Sequence, residues 1–335
     1  MTRTIVTSIL LAVALVSCGG SARNAGSGGK KSVDLSVAVA EVPHFDADSA
    51  YSFVKSQVDF GPRVPNTAAH KECAAWLADK LRSFGAETIV QNIEVTAFDG
   101  TVIKGYNIIG QYRPESRRRV IICSHWDSRP WADNDPDPAN HRKPVDAAND
   151  GASGVGVILE IARQMQQSLP EIGVDCILFD AEDWGPGSDW TGKERAEMWG
   201  LGTQYWARRF HVEGYNARFA VLLDMVGGQS PTFCREAYSV HYASNIVDKL
   251  WQAAANTGNG RFFSDKVSGY VTDDHLFINN IAKIPAVDVI PYYPDCAQST
   301  FGPTWHTVSD DMDHIDKATL KAVGETMMYV IYNER

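Results

Sequence analysis

The sequence Val120-Ile121-Ile122-Cys123 is a short apolar run, and Ser124-His125-Trp126-Asp127 follows it directly. Similar runs without polar alternation occur at 176–179, 220–223 and 286–290. Such runs are typical of strands buried on both faces, because helices cover both sides of a parallel sheet. We therefore predict a central sheet that is mostly parallel and lies between two layers of helices.

Helical spacing of apolar residues surrounds these predicted strands. It covers 46–60, 66–84, 153–168, 203–210, 241–256 and 316–332. Two further strand-like segments, 87–97 and 103–112, are separated by a turn at Asp99-Gly100, which favours an antiparallel pair. Together these elements predict an α/β fold, namely a three-layer αβα sandwich with a mixed, mostly parallel sheet.

The composition is that of an ordinary globular protein and argues against nucleic-acid binding. The 335 residues include 44% hydrophobic and 21% charged side chains, and the formal net charge is −10. Phosphate backbones require a basic surface, which this balance does not offer. We predict that the basic cluster Arg117 to Arg119 is a solvated loop before a strand. The length fits one large domain around a single sheet, which we place at residues 41–335.

The N-terminus is typical of a bacterial export signal. Arg3 precedes an apolar run, Ile5 to Val16, that is short for a membrane span, and Leu15-Val16-Ser17-Cys18 resembles a lipobox. The resemblance implies a lipoprotein signal peptide over 1–17, a lipid on the Cys18 thiol, and anchoring in the cell envelope on the periplasmic side. Residues 18–40 then form a flexible tether. The alternative is an ordinary secretory peptide whose cysteine is incidental.

The five remaining cysteines leave the thiol chemistry open. Cys123 and Cys176 lie in strand-like runs and are predicted to be buried thiols. Disulfides are allowed in an exported protein, so Cys234 and Cys296 are a candidate pair.

Acidic and imidazole side chains follow the predicted central strands. His125 and Asp127 follow the first, the pair Glu182-Asp183 follows the second, and Asp224 follows the third. In an open α/β sheet these positions converge at the carboxyl ends of the strands. Crowded carboxylates repel one another unless a cation lies among them, and zinc is the first candidate for a mixed imidazole and carboxylate set.

Each of these residues also has an ordinary structural interpretation. Asp150, in Asn149-Asp150-Gly151-Ala152-Ser153-Gly154, could simply cap a helix. His306 alone could be a surface or core histidine, and the Glu182-Asp183 pair could lie in a solvated turn. The prediction of a metal site therefore rests on the order and combination of the residues.

This ordered set resembles the zinc aminopeptidase superfamily over residues 45–335. It consists of His125-x-Asp127, Asp150 at a glycine-rich helix start, Glu182-Asp183, Asp224 and His306-Thr307. In two-metal aminopeptidases, the positions that match Asp150, Asp183, His306, His125 and Asp224 bind metal, with Asp150 bridging. The position that matches Glu182 is the general base.

Three local features resemble the animal-type glutaminyl cyclases of the same superfamily. They are Trp305 before His306, the run Asp273-Asp274-His275, and Trp190 in the loop after Asp183. The cyclase resemblance implies a single zinc held by Asp150, Asp183 and His306, although animal cyclases carry Glu where this chain has Asp183. It further implies Glu182 as the base, Asp224 and Asp273 in its hydrogen-bond network, and a substrate pocket of Trp305, Trp190, Val271 and Ile290. His125 and Asp127 persist in cyclases without binding metal.

The implied activity is the conversion of N-terminal glutamine of peptides or proteins to pyroglutamate with release of ammonia. The substrate's own α-amine is the nucleophile, so the enzyme must only polarise the γ-carbonyl and hold a reactive geometry. An aminopeptidase must instead activate a water, which two metals do well. A two-zinc aminopeptidase and a catalytically inactive binding lipoprotein are the alternatives.

Overall fold

A six-stranded mixed sheet forms the centre of the fold. The computed structural model describes residues 41–335; residues 1–40, with Cys18 and the predicted signal peptide and tether, lie outside the described residues. The strands are β1 (Glu87–Thr96), β2 (Val102–Tyr112), β3 (Arg119–His125), β4 (Gly173–Phe179), β5 (Ala220–Leu223), β6 (Phe233–Arg235), β7 (Phe263–Val267) and β8 (Ala286–Val289). The order in the large sheet is β1-β2-β4-β3-β5-β8, and β6 and β7 form a separate small sheet.

The strand directions confirm the predicted mixed sheet. β1 pairs with β2 and β2 with β4 in antiparallel fashion, whereas β3 pairs with both β4 and β5, and β5 with β8, in parallel. His125 lies opposite Phe179, and Leu223 lies opposite Val289. The carboxyl ends of the four parallel strands therefore meet at one edge of the sheet.

Helices cover both faces of the sheet, which confirms the three-layer sandwich. They are α1 (Ala47–Val58), α2 (Ala68–Ser83), α3 (Ala152–Gln167), α4 (Leu201–Arg208), α5 (Ala237–Asn256), α6 (Asp274–Phe277) and α7 (Lys317–Asn333). Neighbouring residues of β3 point to opposite faces of the sheet and belong to two different hydrophobic clusters. Ile122 is in the cluster with α1, α3 and α7, whereas Ile121 is in the cluster with Trp206 of α4. Both faces of β3 are buried, and this explains why its sequence shows no polar alternation.

Arg119 corrects the prediction of a solvated basic loop. Arg117 and Arg118 are exposed, but Arg119 begins β3 and is buried. Its guanidinium donates to both carboxylate oxygens of the buried Asp175 in β4, each at 2.6 Å. A buried charge requires such a partner, and Asp175 inside an apolar strand was the signal for it in the sequence.

The predicted pair of Cys234 and Cys296 is also wrong. Every cysteine within residues 41–335 is a free thiol. Cys234 is buried in β6, while Cys296 is partly exposed in the loop after β8, so the two belong to different surroundings. Cys123 and Cys176 are buried in the sheet as predicted. Within the described residues no helix is long and apolar enough to cross a membrane.

Candidate active site

A cavity of about 220 Å³ opens where the parallel strands end. It collects the predicted metal ligands, the predicted base with its two acidic neighbours, and three of the four predicted pocket residues. Its lining is Asp150, Glu182, Asp183, Glu194, Trp199, Asp224, Met225, Tyr270, Val271, Thr272, Asp273, Ile290, Phe301, Trp305 and His306.

Asp150, Asp183 and His306 form the first of three clusters in the described residues that could hold a metal, here called the open cluster; the third is Asp273, His275 and Asp288. One ligand atom from each residue lies within 4.8 Å of the others, and all three side chains are buried. The His306 Nε2 atom is 3.2 Å from Asp183 Oδ1 and 3.7 Å from Asp150 Oδ2. The open cluster is thus a compact set of one imidazole and two carboxylates.

His125, Asp150 and Asp224 form the second cluster, here called the closed cluster, and it shares Asp150 with the first. His125 Nε2 lies 3.0 Å from Asp150 Oδ1 and 3.2 Å from Asp224 Oδ1. Burial disfavours a charge on His125, but contacts with Asp127, Asp150 and Asp224 outweigh it and raise its pKa well above the usual range. His125 lies behind the cavity wall and does not line the cavity.

Two carboxylates hold the backbone segments that carry the open cluster. Asp127 accepts from the backbone N–H groups of Glu182 and Asp183, at 3.1 and 3.2 Å. Asp310 accepts in the same way from Asn149 and Asp150, at 2.7 and 3.0 Å. Asp127 therefore acts on the geometry of Glu182 and Asp183 rather than as part of a metal cluster.

Arg129 and Asp133 orient the open cluster, and sequence reasoning missed both. The buried Arg129 donates to the carbonyl oxygen and Oδ1 of Asp183, at 3.0 and 3.1 Å. It also pairs with Asp133, whose Oδ1 is 3.4 Å from Nδ1 of His306. A carboxylate beside the outer nitrogen of a histidine is the usual partner of a metal-binding imidazole, because it leaves Nε2 free to bind.

Close backbone approaches explain the glycines around Asp150. A Cβ on Gly151 would lie 2.4 Å from the His125 carbonyl oxygen, and a Cβ on Gly154 would lie 2.1 Å from the carbonyl oxygen of Leu223. Only glycine permits this packing of the α3 start against β3 and β5. His306 has a left-handed backbone with φ of 56°, an unfavourable conformation of the kind that clusters at functional sites.

The residues of the open cluster fit zinc. Oδ1 of Asp183 is engaged by Arg129 and His306, whereas its buried Oδ2 accepts no hydrogen bond from any residue of the described chain. A buried carboxylate oxygen without a partner is costly, and a cation in this position would satisfy it. Three nitrogen and oxygen ligands with a fourth position open to a cavity are the pattern of a catalytic zinc site.

Glu182 lies among carboxylates beside the open cluster. Burial, followed by repulsion from Asp273, raises the pKa of Glu182 well above its usual range. The pKa of Asp273 is likewise raised well above its usual range by burial and by Asp224. Such a group of carboxylates retains protons and can pass them on, which is the behaviour required of a general acid and base.

The wall of the cavity is aromatic, but one predicted residue lies elsewhere. The Trp305 ring stacks on His306 with centroids 3.6 Å apart, and the Trp199 ring is nearly parallel to His306 at 6.5 Å. Trp190 is 41% exposed and packs edge-on against Phe98, outside this cavity. The loop after Asp183 contains several tryptophans without periodicity, so only the folded chain shows that Trp199 takes the position on the cavity.

Glu236 holds the part of the cavity wall that contains Val271. Sequence reasoning missed this residue as well. Its buried carboxylate accepts from the backbone N–H of Val271 at 3.0 Å and contacts Nε2 of His275 at 3.1 Å. It also caps α5 through the N–H groups of Tyr238 and Ser239, at 2.9 and 2.6 Å. Burial opposes its charge, but the His275 contact and these bonds lower the pKa of Glu236 to about 2. Glu236 thus ties the Val271 wall to α5.

Comparison with known proteins gives matches over most of the chain. Residues 107–331 match the family model "Peptidase family M28". The glutaminyl cyclase of Bacteroides thetaiotaomicron, solved with N-acetylhistamine, is 55% identical with a TM-score of 0.86, covering 88% of this chain and all of that one. A Zn-dependent exopeptidase from Parabacteroides distasonis is 50% identical with a TM-score of 0.85, covering 87% of this chain and 99% of that one.

The sequence is also similar to an animal protein. The glutaminyl-peptide cyclotransferase of Drosophila melanogaster is 25% identical over 294 residues, which are 77% of this chain and 73% of that protein. The sheet order, the clustered ligands and these matches together show that the chain belongs to peptidase family M28 and is a zinc-dependent enzyme whose close structural homologues are glutaminyl cyclases.

Proposed function

We propose that this protein cyclises N-terminal glutamine of peptides and proteins to pyroglutamate and releases ammonia. The observation that carries the proposal is the asymmetry of the two clusters. The whole open cluster and Glu182 line one small aromatic cavity, whereas His125 of the closed cluster does not line it. Intramolecular cyclisation needs one polarising cation and one base, and both can be provided within this cavity.

We propose a single zinc, held by Asp150, Asp183 and His306. Zinc bound by these residues would supply a Lewis acid for the γ-carbonyl of the substrate glutamine. Arg129 keeps Oδ1 of Asp183 engaged and Asp133 holds the outer nitrogen of His306. The proposed ligand set follows from these contacts and from the unpartnered Oδ2 of Asp183.

Glu182 moves the proton in the proposed reaction. The α-amine attacks the γ-carbonyl carbon, and the new carbon–nitrogen bond closes a five-membered ring. Glu182 accepts the proton from that amine and returns it to the γ-amide nitrogen, which leaves as ammonia. Burial and then the nearby Asp273 raise the pKa of Glu182, so its carboxylate is a stronger base toward the proton of the attacking amine.

The aromatic wall restricts what enters the cavity. Trp305 and Trp199 flank His306 on the cavity surface, and Val271 and Ile290 line it as well. Such apolar side chains limit the water beside the reacting atoms, which would otherwise compete with the α-amine for the γ-carbonyl. The pocket therefore suits the first residue of a chain rather than an internal glutamine.

We also propose that the enzyme acts on exported peptides and proteins in the bacterial cell envelope. The support is the lipobox-like Leu15-Val16-Ser17-Cys18 and the apolar run before it. A lipid on Cys18 would anchor the enzyme on the periplasmic side. Metabolic labelling with a fatty-acid probe tests the anchor, and a Cys18→Ala chain that still takes up label would contradict it.

The product mass of a peptide that begins with glutamine tests the proposed reaction. The zinc-loaded chain should convert the peptide to a product lighter by one ammonia, with ammonia appearing in equal amount. A product shortened by one residue would instead identify an aminopeptidase. No change with any such peptide would contradict catalysis.

The closed cluster is the feature of the site that favours a two-zinc aminopeptidase. Its three ligand atoms also lie within 4.8 Å of one another, and Asp150 could bridge two ions. That function requires two zinc ions per chain and release of free amino acids. Metal analysis of the purified protein distinguishes it from the cyclase.

A further inference from the structure

A second and larger cavity, of about 700 Å³, lies beside the catalytic cavity. Its walls come from the β1–β2 turn, the loop after β3 and the loop after β4. They combine aromatic, acidic and basic side chains: Phe98, Asp99, Pro130, Trp131, Asp133, Pro138, Ala139, His141, Arg142, Gly187, Ser188, Asp189 and Trp190. We propose that this side cavity binds the part of the substrate peptide that follows the N-terminal glutamine, with a large apolar side chain between the aromatic walls. This inference rests on the proposed cyclase function.

Two residues, Arg129 and Asp133, contact the walls of both the side cavity and the catalytic cavity. The Arg129 guanidinium carbon lies 5.4 Å from the Trp131 ring centroid on one side and 5.2 Å from the Trp199 centroid on the other. Asp133 lines the side cavity and also contacts His306. A chain advances about 3.3–3.6 Å per residue, so the first few residues after the glutamine can reach this cavity.

The walls suit an apolar side chain. Phe98 packs edge-on against both Trp190, at 5.0 Å, and Trp131, at 6.2 Å, which leaves ring faces for a ligand. Aromatic groups that pack on such walls gain binding energy beyond their buried area. The rings lie on loops at the carboxyl edge of the sheet, the same edge as the catalytic cavity.

An unsatisfied donor points to a peptide rather than a purely apolar ligand. The buried Trp131 Nε1 donates no hydrogen bond to any residue of the described chain. Buried indole N–H groups usually have an acceptor, and a peptide carbonyl supplies one. Gly187 has no side chain beside this nitrogen. A Cβ at that position would lie in contact with Nε1, at 3.4 Å, and would fill the space that a peptide carbonyl needs. The loop with Gly187 is held in place because Ser188 N donates to Asp133 at 2.8 Å.

The charges around the side cavity also fit a peptide. The lining has three carboxylates, Asp99, Asp133 and Asp189, against Arg142 and His141, so basic groups are not in excess. A phosphate-bearing or polyanionic ligand would require an excess of bases. Mixed charges with aromatic walls instead match a neutral backbone that carries one apolar side chain.

Kinetics with three peptides test the proposal. The substrates are Gln-Ala-amide, Gln-Ala-Ala-Ala-amide and Gln-Ala-Phe-Ala-amide, and the readout is kcat/KM from ammonia release. The wild-type enzyme should prefer the Phe peptide over its Ala counterpart by roughly three- to tenfold, as expected for one aromatic contact. Phe98→Ala and Gly187→Ala should remove this preference and leave Gln-Ala-amide turnover unchanged.

Leu169→Ala is the control, because Leu169 is a 46% exposed apolar residue just after α3, away from both cavities. It should keep the preference for the Phe peptide. The proposal is overturned if the wild type shows no preference, or if Phe98→Ala and Gly187→Ala slow all three peptides equally. It is also overturned if Tyr270→Ala alone removes the preference, since Tyr270 lies on the rim of the catalytic cavity and would mark another path for the peptide.

Failure of the proposed function gives a different result. In that case Gln-Ala-amide itself releases no ammonia from the zinc-loaded wild type. Calorimetric titration with the two longer peptides then decides on the side cavity alone: tighter binding of the Phe peptide that is lost in Phe98→Ala supports it, and equal binding overturns it.

Discussion

The open and closed clusters share Asp150 and use the same kinds of side chain, yet they differ in their surroundings. In the open cluster, all three residues line the cavity and Oδ2 of Asp183 has no partner among the described residues. In the closed cluster, His125 lies between Asp150 and Asp224 at hydrogen-bond distance from both. The closed cluster therefore has its contacts within the chain. The open cluster keeps one carboxylate oxygen, Oδ2 of Asp183, that a cation could satisfy.

Two clusters of one histidine and two aspartates can therefore have different roles, depending on whether their ligand atoms face a cavity or contact one another. Nε2 of His125 contacts an oxygen of both Asp150 and Asp224, so these carboxylate oxygens have a polar partner within the chain. In the proposed single-zinc site, Asp150 would offer one oxygen to zinc, while its Oδ1 lies at hydrogen-bond distance from Nε2 of His125. Such a partner also fixes the orientation of Asp150, as outer carboxylates do for metal-binding histidines.

Loss of His306 should break the open cluster completely. His306→Ala removes the single imidazole ligand, whose Nε2 contacts both Asp150 and Asp183. We expect no bound zinc after dialysis and no measurable ammonia release. Plasma mass spectrometry measures the zinc, and a circular dichroism spectrum like that of the wild type shows that the fold is intact. Retention of a full zinc complement in the folded variant would contradict the assignment of this ligand.

Loss of the base should separate chemistry from metal binding. Glu182→Gln preserves size but cannot accept the amine proton, so we expect kcat to fall about 10²- to 10⁴-fold with unchanged zinc content. Glu194→Gln is the matched control, because Glu194 lines the same cavity and its Oε1 only accepts a bond from Trp199 at 2.8 Å. Similar kcat values for the two variants would refute the role of Glu182.

Asp133→Asn should weaken the open cluster without removing a ligand. The amide keeps the shape but loses the charge beside Nδ1 of His306, so zinc affinity should fall roughly 10- to 100-fold. Competition with a chromogenic chelator measures the affinity. Asp189→Asn, a change on an exposed loop residue, should leave it unaltered. An unchanged affinity in Asp133→Asn would show that Arg129 alone holds the site.

His125→Asn tests the closed cluster. We expect the same zinc content as in the wild type and a roughly tenfold lower kcat/KM, because hydrogen bonds to charged Asp150 and Asp224 are weakened. Zinc analysis and peptide kinetics on the same preparation measure both. A fall from two zinc ions to one would show that the closed cluster binds metal and would favour the aminopeptidase.

The smallest effect is expected at Glu236, which lies outside both clusters. Glu236→Gln keeps an acceptor for the Val271 N–H but loses the charge that pairs with His275. A single hydrogen bond contributes on the order of 1 kcal/mol, so kcat/KM should fall less than about tenfold, chiefly through KM. An equal KM with a lowered kcat would place Glu236 in the proton network instead of the cavity wall.

Much of the fold followed from local sequence. The apolar runs at β3, β4, β5 and β8 predicted strands buried on both faces, and the β1–β2 pair followed from the turn between them. The small β6–β7 sheet and the short α6 were not predicted, because segments of three to five residues carry no clear period. The observed helix bounds differ from the predicted ones where a side-chain cap sets the end of the helix. Glu236 caps α5, which therefore starts at Ala237 and not at 241.

The sequence by itself determined which chemical groups stand at the strand ends, because the residues directly after a buried strand must lie at its edge. It also placed Trp305 beside His306 through chain adjacency. Only the tertiary structure decided that the open cluster faces the cavity while His125 lies behind it. The hydrogen bonds that hold the open cluster in place join distant parts of the chain. Asp310 and Asn149, for example, are 161 residues apart. Contacts at such separation leave no local period, so they arise only when the loops pack together.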